Sequence, residues 1–208
     1  MGTRLVLAAI ALALPLGGCA ETLARAAAPK VDASPAALRE GNYRLDPDHA
    51  ALLFEVDHLQ LSKFIGRFDS VNATLSFDPA HPEDAALDAT VSVESLAVAV
   101  PDFAKTLLGA NWFDAARFPD AAFRSTSVRR TGEATGEVDG ELTIRGVSHP
   151  ETLSVTFNGG GQDLIRGGYV VGFSATTTIK RSDFGIDRFE GLVGDDVTIR
   201  FEGEFIRK

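Results

Sequence analysis

The histidines are the side chains of this sequence best suited to moving protons or binding metal at neutral pH. His49 and His58 flank a predicted strand, and Asp57 precedes the second of them, so the three could support acid–base chemistry on a bound molecule. A metal site would need a further ligand, and no spacing in the chain supplies one. His81 and His149 each precede a proline in a predicted turn and are expected in solvent. We therefore predict no metal, and expect His49 and His58 at a rim, bonded to backbone or meeting a ligand headgroup.

Common catalytic and cofactor-binding motifs are missing from the sequence. It has no Gly-x-Ser-x-Gly elbow, no His-Glu-x-x-His pair, no Gly-x-Gly-x-x-Gly turn and no phosphate-binding loop. Its 20 Lys and Arg against 29 Asp and Glu give a net charge of −9, which disfavours nucleic acid because phosphate recognition needs a basic face. We expect a non-enzyme without a cofactor or nucleic-acid partner. Redox or hydrolytic help on a bound molecule is the enzymatic alternative.

Residues 1–18 have the pattern of an export signal. Arg4 precedes an apolar run at residues 5–14 that is too short to span a bilayer. Leu16-Gly17-Gly18-Cys19 then resembles the bacterial lipobox, which implies that Cys19 is acylated and becomes the new N-terminus. An ordinary secretory signal is the alternative. By resemblance to enterobacterial lipoproteins, Ala20 rather than Asp after the cysteine favours sorting to the outer membrane. The prediction is a periplasmic protein attached to a membrane through its acyl chains.

The rest of the chain divides into a linker and one domain. Residues 19–41 are rich in alanine, contain Pro29 and Pro35, and predict a flexible tether. Residues 42–208 alternate apolar and polar side chains, most regularly from Tyr169 to Ile179, and predict eight or nine strands. Helical turns are expected at residues 58–65 and 101–112, and a turn at residues 158–161.

The predicted fold is all-β, an eight-stranded antiparallel, lipocalin-like barrel with one or two short helices. Closure of the barrel removes sheet edges, and a β-sandwich is the alternative. The sequence has 14 Phe but only 2 Tyr and 1 Trp, which indicates a dry inner face. An eight-stranded barrel can be filled by side chains or can hold one small ligand. Alternation alone favours neither, so a filled structural module acting through its surface stays open beside a hollow lumen that suits a long apolar chain.

Several segments of the sequence resemble the YceI family of periplasmic lipid-binding proteins. In chain order they are Tyr43-x-x-Asp46-x-x-His49-x4-Phe54-x-Val56-x-His58, Gly66-x-Phe68, Trp112-Phe113-Asp114-Ala115-Ala116-Arg117-Phe118-Pro119, Gly140-Glu141-Leu142-Thr143-Ile144-Arg145-Gly146-Val147-Ser148-His149-Pro150 and Arg181-Ser182-Asp183-Phe184-Gly185. The resemblance implies a barrel with an elongated tunnel that binds or transports a polyisoprenoid, isoprenoid quinone or fatty-acyl lipid, and a donor or acceptor protein for that lipid. The ligand-binding residues it implies, together with the inward face, are Phe54, His58, Phe68, Val91, Trp112, Phe113, Phe123, Phe173 and Phe184.

Two positions depart from the pattern of that family. Ala50 stands where many members have serine after the first histidine. Lys105-Thr106-Leu107-Leu108 stands where many members have Asp-x-His-Leu. If those polar groups contact the polar end of a ligand in relatives, this chain holds a different headgroup or none.

Overall fold

The structure is a computed structural model that describes residues 28 and 30–208. The predicted export signal and Cys19 lie outside these residues. No helix within the described part of the chain has the length and apolar character that a membrane span requires. The described chain is mostly β-strand, and its strands are β1 (Gly41–His58), β2 (Ser62–Phe68), β3 (Val71–Phe77), β4 (Ala86–Ser92), β5 (Leu96–Val98), β6 (Asp120–Arg130), β7 (Thr135–Ile144), β8 (Val147–Gln162), β9 (Tyr169–Lys180) and β10 (Val193–Arg207).

Eight strands close into an antiparallel barrel, which confirms the predicted fold. Their order around the barrel is β10-β9-β8-β7-β6-β4-β3-β1, and β1 pairs with β10 from Tyr43–Arg207 to His58–Val193 to complete the circle. The period-two alternation places one apolar face of each strand inside. Since a sandwich would leave β1 and β10 as edges, their pairing rules out that alternative.

One side of the barrel is built from strands that break halfway along. The first half of β1 pairs with β3 and its second half pairs with β2, so β2 and β3 follow each other along the same neighbour. β5 likewise pairs with β2, whereas β4 pairs with β6. Between β5 and β6 the chain forms helix α1 (Pro101–Leu107) and residues 108–119. This connection therefore forms part of the barrel wall on the side where the strands break.

Three local predictions were wrong. Residues 58–65 form the β1–β2 hairpin rather than a helical turn, because Leu59 and Gln60 adopt left-handed backbone angles that reverse the chain between paired strands. The helix at 101–112 ends at Leu107. Residues 158–161 continue β8 instead of forming a turn, and a side chain at Gly159 would come within 2.5 Å of Val31. That glycine is needed for close approach of the N-terminal segment.

His149 and Pro150 also lie inside β8 instead of in a solvated turn. β8 pairs with β9 only from Ser154 onward, so the missing N–H of Pro150 costs no bond to β9. The His149 ring packs edge-on against Phe184 with centroids 5.2 Å apart. We therefore correct the expectation of a solvated His149.

The two ends of the barrel differ in what covers them. One end, which we call the polar end, is formed by residues 32–38, the turn at 131–134 and the β8–β9 hairpin at 163–168. The other end, which we call the apolar end, is formed by the β1–β2 hairpin at 59–61, helix α1 and the loop at 185–192. Every long strand runs from one of these ends to the other.

Candidate functional site

A continuous apolar cavity of about 950 Å³ occupies the barrel and extends from one end to the other. Its wall includes Pro35 and Leu38 at the polar end, Val91 and Phe173 midway, and Phe189 at the apolar end. This volume lies near the upper limit of about 300–1,000 Å³ for ligand pockets. The lumen is therefore hollow, and we call it the tunnel.

All nine predicted ligand-binding residues lie on the tunnel wall. Their contact with a ligand stays a prediction. Alternation positions most of them, since they occupy inward places on β1, β2, β4, β6 and β9. Trp112 and Phe113 come from the connection after α1 and pack against the inner cluster formed by Ile144, Ile179, Phe184 and Ile186.

Phenylalanine rings contact one another in series along the half of the tunnel nearer the apolar end. Phe54 lies 5.8 Å from Phe68, and Phe68 lies 5.6 Å from Phe113 in an edge-to-face pair, measured between ring centroids. A side chain at Gly66 would come within 2.4 Å of the Phe54 ring, so this glycine leaves room for the ring against the strand. The wall thus offers aromatic faces without hydroxyl groups, which suits hydrocarbon.

Helix α1 completes the tunnel near the apolar end. Leu107 is buried and lines the tunnel, and Phe103 packs edge-on against Phe64 with centroids 5.8 Å apart. Leu107 lies in the segment where the resemblance implied an acidic and a histidine residue. The wall here is consequently apolar at a position where the resemblance implies a polar group.

Arg181 is a buried cation in this wall that sequence reasoning did not assign to the site. Its guanidinium donates to the backbone carbonyls of Ile186 and Arg188 at 2.8 Å, and also to those of Gly194 and Val193. It has no carboxylate within ion-pair distance among the described residues. Arg181 therefore fixes the loop at 185–192 through its backbone.

The residues proposed for acid–base chemistry do not come together. His49 lies toward the polar end and His58 on the tunnel wall at the apolar end, on the order of 25 Å apart along β1. Asp57 is bonded instead to Lys63 Nζ, at 3.1 Å. Among the described residues, no three His, Cys, Asp or Glu side chains converge as metal ligands would.

Glu151 is a carboxylic acid of the barrel whose pKa is raised. Burial raises the pKa of this carboxyl, and the neighbouring carboxylate of Asp183 raises it further. Glu151 lies on β8 near His149 and does not line the tunnel. The raised pKa therefore belongs to a carboxyl group outside the candidate site.

The N-terminal segment packs onto the polar end instead of leaving it freely. Asp32 and Gly160 exchange two backbone hydrogen bonds of 2.9 Å. The Tyr43 hydroxyl donates to the Arg39 carbonyl at 2.6 Å, and the Tyr169 hydroxyl donates to the carbonyl of Ala37 at 2.5 Å. The described part of the predicted tether thus forms part of the domain, up to the start of β1.

An ionic network lies beside this segment and was not predicted. Arg166 donates to Asp46 at 2.9 Å, to Asp163 at 2.6 Å and to Glu204 at 2.6 Å. Burial opposes ionisation of Asp46, but hydrogen bonds from His49 and Arg166 hold the pKa of Asp46 below its usual range. The Arg166 backbone amide and side chain lower the pKa of Asp163 in the same way. No sequence pattern signals the network, because Asp46, Arg166 and Glu204 lie far apart in the chain.

Comparison with known proteins identifies relatives of this chain. The model of the YceI-like domain matches residues 43–205. A UPF0312 protein of Pseudomonas savastanoi pv. phaseolicola is 37% identical over 166 residues, covering 78% of this chain and 85% of the relative. BcnA of Burkholderia cenocepacia superposes with a TM-score of 0.70 at 26% identity, over 77% of this chain and 98% of its own.

A further solved structure shares the fold at low identity. It is a polyisoprenoid-binding domain from Saccharophagus degradans, with a TM-score of 0.58 at 14% identity, over 80% of this chain and 98% of that domain.

Proposed function

This chain belongs to the family of YceI-like domains, and on that premise we propose that its tunnel binds and carries one long apolar lipid, such as a polyisoprenoid, an isoprenoid quinone or a fatty-acyl compound. The observation that carries the proposal is the end-to-end apolar cavity of about 950 Å³. A polyisoprenoid-binding domain has the same fold, which supports an isoprenoid ligand. The protein binds rather than transforms its ligand, because its candidate proton-transfer groups lie apart.

The affinity would come from contact area more than from polar recognition. Burial of apolar surface contributes about 25 cal/mol per Å², so a contact of about 500 Å² supplies roughly 12 kcal/mol before entropy costs are subtracted. Such a wall selects ligands by length and girth. Leu107 is apolar at one of the two positions where the resemblance implies a polar side chain, which favours a ligand with a small headgroup or none.

The proposal extends to the cell envelope. The lipobox-like sequence ending in Cys19 supports acylation and attachment to a membrane, with the outer membrane favoured by Ala20. A hydrocarbon ligand is scarcely soluble in water. Such a domain would therefore transport it between membranes, together with a donor or acceptor protein. Mass spectrometry of the mature N-terminus tests the acylation directly.

Native mass spectrometry tests the binding. The chain is produced in a bacterial periplasm with Cys19→Ser, which removes the acylation site, and the expected result is one added lipid mass released on unfolding. Ala89→Trp places a large ring in the middle of the tunnel, whereas Thr90→Trp places the same ring outside on the same strand. We expect Ala89→Trp to lower lipid occupancy at least tenfold and Thr90→Trp to leave it within twofold.

The outcomes are distinct for a hollow and a filled lumen. A lumen without ligand space would be overpacked by Ala89→Trp and destabilised by about 1–3 kcal/mol. An unliganded mass that persists after incubation with isoprenoid and fatty-acyl lipids would contradict the proposal. Trp112 supplies an independent signal, since it is the single tryptophan and lines the tunnel. A brominated long-chain lipid is expected to quench its fluorescence.

A further inference from the structure

Exposed apolar side chains from two joined loops lie beside the tunnel at the apolar end, and we call them the collar. Leu59 is 45% exposed, Leu61 84%, Phe189 60% and Leu192 55%. Leu59 N donates to the Leu192 carbonyl at 2.9 Å, so the two loops that carry the collar are joined. Leu59, Phe189 and Leu192 also line the tunnel. The apolar surface inside the barrel therefore continues outward to this collar.

The loops that carry the collar are held by backbone contacts. Leu59 and Phe189 adopt left-handed backbone angles of 56°, a conformation uncommon for large side chains. Val193 N donates to the Phe189 carbonyl at 2.9 Å, and the buried Arg181 guanidinium donates to the carbonyl of Arg188. These contacts hold the loops in a conformation that leaves the apolar side chains in solvent. Backbone conformations of this kind cluster at functional sites.

A cationic pocket adjoins the collar. It measures about 500 Å³ and is lined by Ala110, Asn111, Arg145, Gly185, Asp187, Arg188 and Phe189. Arg145 donates to the carbonyls of Gly185 and Ala110, while its buried Nε has no partner. Neither Arg145 nor Arg188 has a carboxylate within ion-pair distance among the described residues. Two guanidiniums against one carboxylate make the pocket locally positive in a chain of net charge −9.

We propose that the apolar end docks onto a phospholipid bilayer, with the collar entering the acyl region and the Arg145–Arg188 pocket taking a lipid phosphate. This inference rests on the proposed function and adds the route by which the ligand enters. An apolar collar beside a cationic pocket matches the order of acyl chains and phosphates at a bilayer surface. Because the collar is continuous with the tunnel wall, a ligand would pass between bilayer and barrel without crossing water.

The polar end provides a matched comparison. Leu164 is 69% exposed at the tip of the 163–168 hairpin, close to the 84% of Leu61, and neither side chain lines the tunnel. Leu61→Asp and Leu164→Asp therefore introduce the same charge at the tips of two hairpins on opposite ends. Each carries Cys19→Ser, so that no acyl chain contributes to binding.

The experiment is flotation with vesicles of phosphatidylcholine and phosphatidylglycerol in a 3:1 ratio. Leu61→Asp is expected to reduce the bound fraction at least tenfold, and Leu164→Asp to leave it within twofold. Arg188→Gln is expected to weaken binding two- to fivefold on these vesicles and to have no effect on galactolipid vesicles, which have no phosphate. Equal losses for both leucine variants, or absence of vesicle binding by the parent chain, would overturn the docking proposal and would favour a protein partner for the collar.

Lipid occupancy measured on the same samples separates this inference from the proposed function. A parent chain that holds its lipid but ignores vesicles contradicts docking alone. A chain that binds vesicles through Leu61 but never contains a lipid supports docking and contradicts the proposed carrier.

Discussion

The polar end and the apolar end of this barrel are held by different kinds of contact. At the polar end, Arg166 joins three carboxylates, and Tyr43 and Tyr169 bond to the backbone of the N-terminal segment. At the apolar end, the loops place Leu61 and Phe189 in solvent. The polar end is therefore fixed by side-chain ion pairs, and the apolar end by hydrogen bonds to backbone carbonyls that leave apolar side chains in solvent.

The largest effect should follow from removing the central cation of the polar end. Arg166→Met leaves Asp46 and Asp163 nearly buried without their partner, and we expect the free energy of unfolding to fall by about 2–3 kcal/mol. Arg188→Met at the apolar end has no ion pair to lose and should stay within about 0.5 kcal/mol. Denaturant unfolding measures both, and similar losses would erase the contrast between the ends.

Acid should weaken the same end selectively. The pKa values of Asp46 and Asp163 are lowered in the folded protein, so their ion pairs stabilise it above the ordinary pKa of 3.8 and this stabilisation is lost as the pH falls below about 4. As the pH falls below about 4, the protection of the Asp32 and Gly160 amides against hydrogen exchange should decrease before the protection of the Leu59 amide does. This step removes only the charge of the carboxylates, so it is smaller than the loss in Arg166→Met. Simultaneous loss of protection at both ends would argue against it.

A single hydroxyl tests the attachment of the N-terminal segment. Tyr169→Phe removes the donor to the Ala37 carbonyl and should cost about 1 kcal/mol of unfolding free energy. The Gly160 amide, which bonds to Asp32, should then exchange faster, whereas the Leu59 amide at the other end should not. An unchanged Gly160 amide would mean that the segment is held without this bond.

The smallest effect is expected at the collar. Phe189→Ala removes a ring that is 60% exposed, so the unfolding free energy should change by less than about 0.5 kcal/mol, as for Leu164→Ala at the polar end. Thermal unfolding measures this, while vesicle flotation of the same variant reports the docking role. A loss above about 1 kcal/mol would show that the collar stabilises the fold.

The barrel and its inward face could be predicted because alternation is a local signal. The period-two pattern groups Val91 and Phe173 with the apolar faces of their strands, and the phenylalanine-rich composition indicates that these faces point inward. The turn at residues 58–65 could not be predicted, since the left-handed angles of Leu59 and Gln60 come from strand pairing and not from their residue types. The glycines after Asn158 looked like a turn, although they serve a close approach of Asp32.

The polar network and the collar were beyond sequence reasoning for another reason. Asp46 and Arg166 lie 120 positions apart, and no periodicity connects them. Whether the lumen was hollow also depends on the sum of side-chain volumes across all strands. The exposed position of Phe189 depends on a loop that Arg181 fixes by bonding to backbone carbonyl groups. Because every residue has such a carbonyl, the sequence gives no sign of which ones Arg181 contacts.

The bridge between Asp32 and Gly160 also sets how the molecule would stand on a membrane. The 13 residues from Cys19 to Asp32 span at most about 45 Å when fully extended. The 18 residues of β1, tilted as barrel strands are, rise about 45 Å. Under the proposed acylation of Cys19, the apolar end could reach the membrane that holds the anchor only with this segment almost fully extended, whereas the polar end could lie against that membrane at any extension. The anchor would therefore favour contact of the apolar end with a second bilayer.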